Sequence, residues 1–231
     1  ITNSRFRSNG AEFGGAIYAS QADLMITGSE LSQNSAQPFA GSTTNVCTGG
    51  ALYSLNSSLR VHDNVFIGND AQFTGGAVYV IGPFYYETNG TQEIVNCLLV
   101  DNTAGVSGGA VSVMNEAEPY LINCTLVENE VTDSFGFGGA VSCGYDSESG
   151  ENAGLYTYAL LENCILWDNF AVFGPQAALG DPLDLENQII SLEVSHSDIQ
   201  GGVEDIYLGE PAGNTWVYDA GGIIDADPMF I

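Results

Sequence analysis

The 231-residue chain carries 29 acidic residues against three basic ones, Arg5, Arg7 and Arg60, with no lysine, for a formal net charge of −26 at pH 7. A field of that sign repels phosphate backbones and anionic bilayers, which argues against nucleic acid as a partner. Hydrophobic residues at 45% and 29 glycines exclude a disordered or collagen-like chain, and no apolar run reaches the ~18 residues that would read as a membrane-spanning helix.

A nine-residue frame then recurs seven times along the chain: ITNSRFRSN at 1, ITGSELSQN at 26, VHDNVFIGN at 61, IVNCLLVDN at 94, LINCTLVEN at 121, LENCILWDN at 161 and VSHSDIQGG at 194. Its first position is aliphatic throughout (Ile1, Ile26, Val61, Ile94, Leu121, Leu161, Val194). Its sixth is large and apolar (Phe6, Leu31, Phe66, Leu99, Leu126, Leu166, Ile199). The ninth is Asn9, Asn34, Asn69, Asn102, Asn129 and Asn169, with Gly202 in the last copy. Because Ile1 already occupies a frame position, the sequence starts inside a repeat, and further chain upstream or processing is expected.

A second element follows the first five frames: GGAIY at 14, GGALY at 49, GGAVY at 75, GGAVS at 108 and GGAVS at 138. Successive frames lie 25 to 40 residues apart. Short segments rich in β-branched and aromatic residues, punctuated by Gly and Asn, favour strands and tight turns over helical repeats. No such coil buries its own apolar row, but stacking coils makes the row continuous. The expected fold is therefore all-β, a right-handed parallel β-helix (solenoid) of about seven coils with inserted loops, forming a single domain over 1–231. Positions one and six should stack inward, as should Ile17, Leu52, Val78, Val111 and Val141 after the Gly-Gly pairs. Asn at position nine suits a turn, where it tolerates left-handed backbone and bonds the backbone or its stacked neighbours.

The fourth frame position holds Ser4, Ser29, Asn64, Cys97, Cys124, Cys164 and Ser197. Three thiols in successive coils read either as a disulfide or metal stack or as a ladder of small buried side chains, and the ladder is favoured. Positions five and seven should face outward. They are polar in the first two copies and then turn apolar (Val65, Ile67, Leu98, Val100, Val127, Ile165, Trp167). A bare apolar stripe calls for cover from within the chain or for lateral association. Insertions lengthen the turn after the Gly-Gly element at 81–92, 114–119 and 144–159. They bring Phe84, Tyr85, Tyr86, Tyr145, Tyr156 and Tyr158, a candidate contact site for carbohydrate or a protein surface. In the tail, Asp219, Asp225 and Asp227 could hold Ca2+, as could Asp181 and Asp184, although neither group has the spacing of a known calcium loop. Asn123 begins an Asn-x-Thr sequon inside a frame expected to be buried, which argues against its glycosylation.

The paired NC-x-φ-x-x-N and GGA-φ-Y elements resemble the right-handed β-helix repeats of bacterial surface and secreted proteins. These include the polymorphic outer-membrane-protein type of repeat (GGAI and FxxN), within the broader pectate-lyase-like superfamily. Phe6-Arg7-Ser8-Asn9 and Phe66-Ile67-Gly68-Asn69 are FxxN as written. The resemblance implies an extracellular or cell-surface location in a bacterium. Relatives that cleave polyuronates by elimination use calcium-binding acids with an Arg or Lys base, and hydrolytic relatives use clustered Asp with Gly-His-Gly and Arg-x-Lys. This chain has neither set; its near match is Ser195-His196-Ser197, with His196 at a frame position that is Asn in four other copies. The expected role is non-catalytic surface display, adhesion or head-to-tail assembly into fibres, with a polysaccharide-cleaving or carbohydrate-binding protein as the alternative.

Overall fold

A computed structural model describes residues 1–43, 46–82, 90–144, 156–180, 189–209 and 215–230. Its strands form four parallel sheets, three of seven strands and one of five, in which each strand pairs with its counterparts in the coils before and after. One coil runs through Asp23–Thr27, Glu30–Ser32, Ser35–Ala36 and Leu52–Leu55 before Ser58–His62 begins the next. The chain is thus a parallel β-solenoid of about seven coils. We name its sides the first-position, sixth-position, corner and Gly-Gly sheets, after the residues that build them.

The expected columns are continuous. Phe6, Leu31, Phe66, Leu99, Leu126, Leu166 and Ile199 pair in unbroken register. So do Ile26, Val61, Ile94, Leu121, Leu161 and Val194. Apart from the half-buried Phe6 in the first copy, all of these are buried, and one hydrophobic core runs along the rod. Unequal coil lengths do not disturb the register, because the extra residues fall between strands: before the Gly-Gly strand at 37–48 in the second coil, and chiefly between that strand and the next frame in later coils. Leu52, Val78, Val111 and Val141 are buried as well, so the Gly-Gly strand turns the residue after its alanine inward. The tyrosines that follow stack on the outer face, Tyr18 on Tyr53 at 5.1 Å and Tyr53 on Tyr79 at 5.2 Å.

Two glycines in each Gly-Gly element have separate jobs. Gly108 sits at φ +62°, a left-handed corner that a side chain strains. Gly109 has no such φ, but a Cβ there would run into the Gly139 carbonyl of the next coil. A sixth copy of the element is hidden in the sequence as Gly174-Pro175-Gln176-Ala177, with Ala177 paired to Val141. Pro175 is tolerated in the second slot because no further Gly-Gly element stacks above it.

Left-handed backbone does not fall on the ninth-position asparagines. It falls on the third position (Asn3, Gly28, Asp63, Asn96, Asn123, Asn163, His196) and the eighth (Ser8, Gln33, Gly68, Asp101, Glu128, Asp168, Gly201). These two corners bracket the three-residue sixth-position strand. The ninth residue is thereby released to extend and point its amide into the rod. Each buried Asn Oδ1 accepts both the backbone N–H and the Nδ2 of the Asn one coil earlier: Asn34 from Asn9, Asn69 from Asn34, Asn102 from Asn69, Asn129 from Asn102 and Asn169 from Asn129. The second Nδ2 hydrogen reaches the sixth-position carbonyl of the preceding coil, as from Asn102 to Phe66 at 3.2 Å. Gln176 Oε1 accepts the last donor, from Asn169 at 2.7 Å, where the seventh frame offers only glycine.

The fourth position forms a parallel ladder. Ser29 Oγ accepts the Ser4 N–H at 3.0 Å, Asn64 Oδ1 accepts the Ser29 N–H at 2.8 Å, and Ser197 Oγ accepts the Cys164 N–H at 3.0 Å. Cys97, Cys124 and Cys164 continue it as free, buried thiols. Their Sγ atoms donate to Val61, Ile94 and Leu121 carbonyls at 3.4, 3.2 and 3.3 Å. Of the two readings of this thiol column, the ladder of small side chains is the one found.

Candidate functional site

The outer face of the first-position sheet changes character toward its C-terminal end. Its last three strands are Tyr156–Glu162, Ile189–Ser195 and Thr215–Asp219. Strict alternation drives Thr157, Ala159, Leu161, Ile190, Leu192 and Val194 into the rod, where all are buried. What remains outside is Tyr156 and Tyr158 on one strand, Ser191 and Glu193 on the next, and Trp216 and Tyr218 on the third. Register places Tyr158, Ser191 and Trp216 in one column and Leu160, Glu193 and Tyr218 in another. The small polar row of Ser191 and Glu193 is therefore a floor between two aromatic walls, which stand two strand spacings, roughly 9.6 Å, apart.

This trough encloses about 230 Å³. Trp216 is 42% exposed and Tyr218 60%, against 39% for Tyr156, so the ring faces are open to a ligand. The first wall is held in place: Tyr156 hydroxyl and Ser191 Oγ share a hydrogen bond at 2.7 Å, and Tyr158 hydroxyl donates to Glu193 Oε2 at 3.0 Å. Tyr156 stacks on Tyr158 at 6.2 Å, and Tyr120 meets Tyr158 edge-on at 6.3 Å. Partial burial, and then the Glu193 hydrogen bond, push the Tyr158 phenol above its ordinary value. It therefore stays a donor to the carboxylate at physiological pH.

Tyr156 and Tyr158 thus belong to a strand, where an inserted loop was expected. The seven-residue strand runs longer than the frame because it extends the sheet edgewise along Ile189–Ser195. Phe84, Tyr85, Tyr86 and Tyr145 lie outside the described residues. Trp216 and Tyr218 were not singled out from sequence; the signal was the alternation Thr215-Trp216-Val217-Tyr218, one coil after Val194.

The apolar stripe on the sixth-position sheet is drawn together in two columns, with Val65, Leu98 and Ile165 in one and Ile67, Val100, Val127 and Trp167 in the other. Ile67 and Leu98 are exposed, and the other five are half-buried. A broader, more polar concavity near the first coils is lined by Asn3, Gly28, Asp63 and the Arg5–Glu30 ion pair at 2.8 Å.

The tail carboxylates are not gathered. Asp219 Oδ1 accepts the Gly221 N–H at 2.7 Å and Asp227 Oδ1 the Met229 N–H at 2.8 Å, each closing a local turn. Among the described residues no three His, Cys, Asp or Glu side chains, Asp225 included, converge as a metal site; Asp181 and Asp184 lie outside that set. His196 takes the left-handed third position at φ 49°, the structural slot held by Asn in other coils. Asn123 is exposed, contrary to expectation, since the third position forms a corner; its Nδ2 donates to Asn96 Oδ1 at 3.1 Å. No helix among the described residues is long and apolar enough to cross a membrane. In comparisons with known proteins, the chain matches no family profile, no curated protein and no solved structure.

Proposed function

We propose that the chain is an extracellular, non-catalytic β-solenoid display module that contacts its ligand at the aromatic trough of Tyr156, Tyr158, Trp216 and Tyr218. The observation that carries this reading is the trough's lining: aromatic walls, two hydroxyl–acceptor pairs already made, and Glu193 as the one carboxylate among the described lining residues. Glycoside hydrolysis requires two carboxylates facing one bond, with separations of roughly 5–9.5 Å. A hydrogen-bonded glutamate that stands alone among rings in the described residues supports binding over cleavage. The surface location rests on the resemblance of the NC-x-φ-x-x-N and GGA-φ-Y elements to polymorphic outer-membrane-protein repeats, and on the −26 charge that favours solubility.

The test is a binding screen on glycan and protein arrays with the intact chain and with Trp216→Ala, alongside a reducing-end assay. Binding that the substitution removes, with no release of reducing ends, supports the reading. Reducing-end release abolished by Glu193→Gln would replace it with the polysaccharide-cleaving alternative.

A further inference from the structure

Resting on the trough as the contact site, we infer that its ligand group is a quaternary ammonium, the trimethylammonium of choline-class molecules. Three features of the trough and its surroundings converge on that chemistry. Four rings, Tyr156, Tyr158, Trp216 and Tyr218, surround one floor, and aromatic faces attract a cation through their quadrupole, tryptophan most strongly. The floor carries the Glu193 carboxylate, no basic side chain lines the trough, and the chain as a whole is at −26, so cations are drawn in and anionic sugars repelled.

The polar atoms of the floor decide between kinds of cation. Ser191 Oγ is engaged by the Tyr156 hydroxyl and one of the two Glu193 oxygens, Oε2, by the Tyr158 hydroxyl, which leaves Oε1 as the floor's acceptor outside those two pairs. A primary ammonium brings three N–H donors that need acceptors; a methylated one brings none and is held by charge and ring faces. The trough favours the second. Its 230 Å³ also falls below the ~300 Å³ at which pockets for drug-sized ligands begin, a fit for a compact headgroup rather than an oligosaccharide.

The test is isothermal titration calorimetry of the whole chain with choline and with 3,3-dimethylbutan-1-ol, its uncharged isostere, at about 0.15 M NaCl, where surface charge is screened beyond ~8 Å. Choline should bind saturably and the isostere at least about tenfold more weakly, as a desolvated cation–π contact implies. Trp216→Ala should weaken choline by about tenfold or more, and Glu193→Gln by roughly fivefold. Glu128→Gln, the same charge change at an exposed corner outside the trough, should leave it unmoved. Circular dichroism of each variant establishes that the solenoid is intact. Sedimentation with phosphatidylcholine vesicles separates the two sources: co-sedimentation lost in Trp216→Ala assigns a lipid headgroup, and its absence assigns a free solute. Equal binding of the isostere, or a Glu128→Gln effect as large as that of Glu193→Gln, overturns the inference. Absence of choline binding while a glycan still binds through Trp216 overturns it and leaves the contact site standing. Absence of any Trp216-dependent binding removes both.

Discussion

Replacing Asn102 by alanine tests the energetics of the solenoid most directly. The Asn102 side chain takes part in four hydrogen bonds, accepting from Asn69 N and Nδ2 at 3.0 and 2.9 Å and donating to Phe66 O and Asn129 Oδ1 at 3.2 and 2.9 Å. Asn129 Oδ1 keeps the Asn102 backbone N–H after the change. The Asn69 backbone N–H and one Asn69 amide hydrogen are left in a fully buried site without their acceptor. At ~1–3 kcal/mol for each orphaned buried group, the loss is about 4 kcal/mol. For a chain of this length that lowers the melting temperature by roughly 8–16 °C. Urea unfolding followed by far-ultraviolet circular dichroism measures it. Asn96→Gly is the matched control: it removes an exposed ladder of the same kind while suiting the left-handed corner at φ 52°, and should cost under ~0.5 kcal/mol. An Asn102→Ala penalty no larger than that of Asn96→Gly would show that the buried amide column does not contribute to stability.

Other expectations follow from the same geometry. Gly109→Ala, which drives a methyl into the Gly139 carbonyl, should destabilise by ~2–3 kcal/mol, whereas Gly202→Ala, open to space at φ +70°, should cost ~1 kcal/mol; thermal melts of the pair check the order. Burial pushes the Cys143 thiol up to about 12. The folded state thus favours its protonated form: that contribution is whole below the unfolded thiol value of ~8.5 and is lost as pH rises toward 12. Stability should decline across that window, and iodoacetamide should label Cys97, Cys124, Cys143 and Cys164 only on unfolding; labelling of the native protein at pH 8 would contradict their placement. Twenty-nine acids against three arginines repel one another along the rod, so raising NaCl from ~0.01 to ~1 M should raise the melting temperature; a fall would mean that the Arg5–Glu30 and Arg60–Asp23 ion pairs outweigh that repulsion.

The columns at positions one and six were legible because an apolar residue recurs eight and three residues before the ninth position in all seven copies, whatever the length of the coil between them. The amide ladder was legible in part. Asn serves equally well in a left-handed turn or in a stacked column, so its presence at position nine left the backbone angle open. The true left-handed eighth position hides behind Ser8, Gln33, Asp101, Glu128 and Asp168, which share no chemistry beyond polarity. Pro175 masked the sixth Gly-Gly element, since the constraint that demands a second glycine comes from the Gly-Gly element of the next coil and lapses where the next coil has none. The trough eluded the sequence for a related reason. Its walls come from strands about 60 residues apart, Tyr158 and Trp216, which adjoin the floor only through register.

The asparagine column also has a direction. Each buried Oδ1 faces the earlier coil, and from Asn34 to Asn129 one Nδ2 hydrogen donates to the Oδ1 of the later coil while the other returns to a carbonyl of the earlier one, so the amides run head to tail and polarise one another, by ~10–30% per bond in condensed-phase estimates. Grafting coils from this protein is therefore not symmetric. A block cut above Asn169 must supply an acceptor in the place of Gln176, whereas one cut below Asn9 leaves only a carbonyl oxygen facing water.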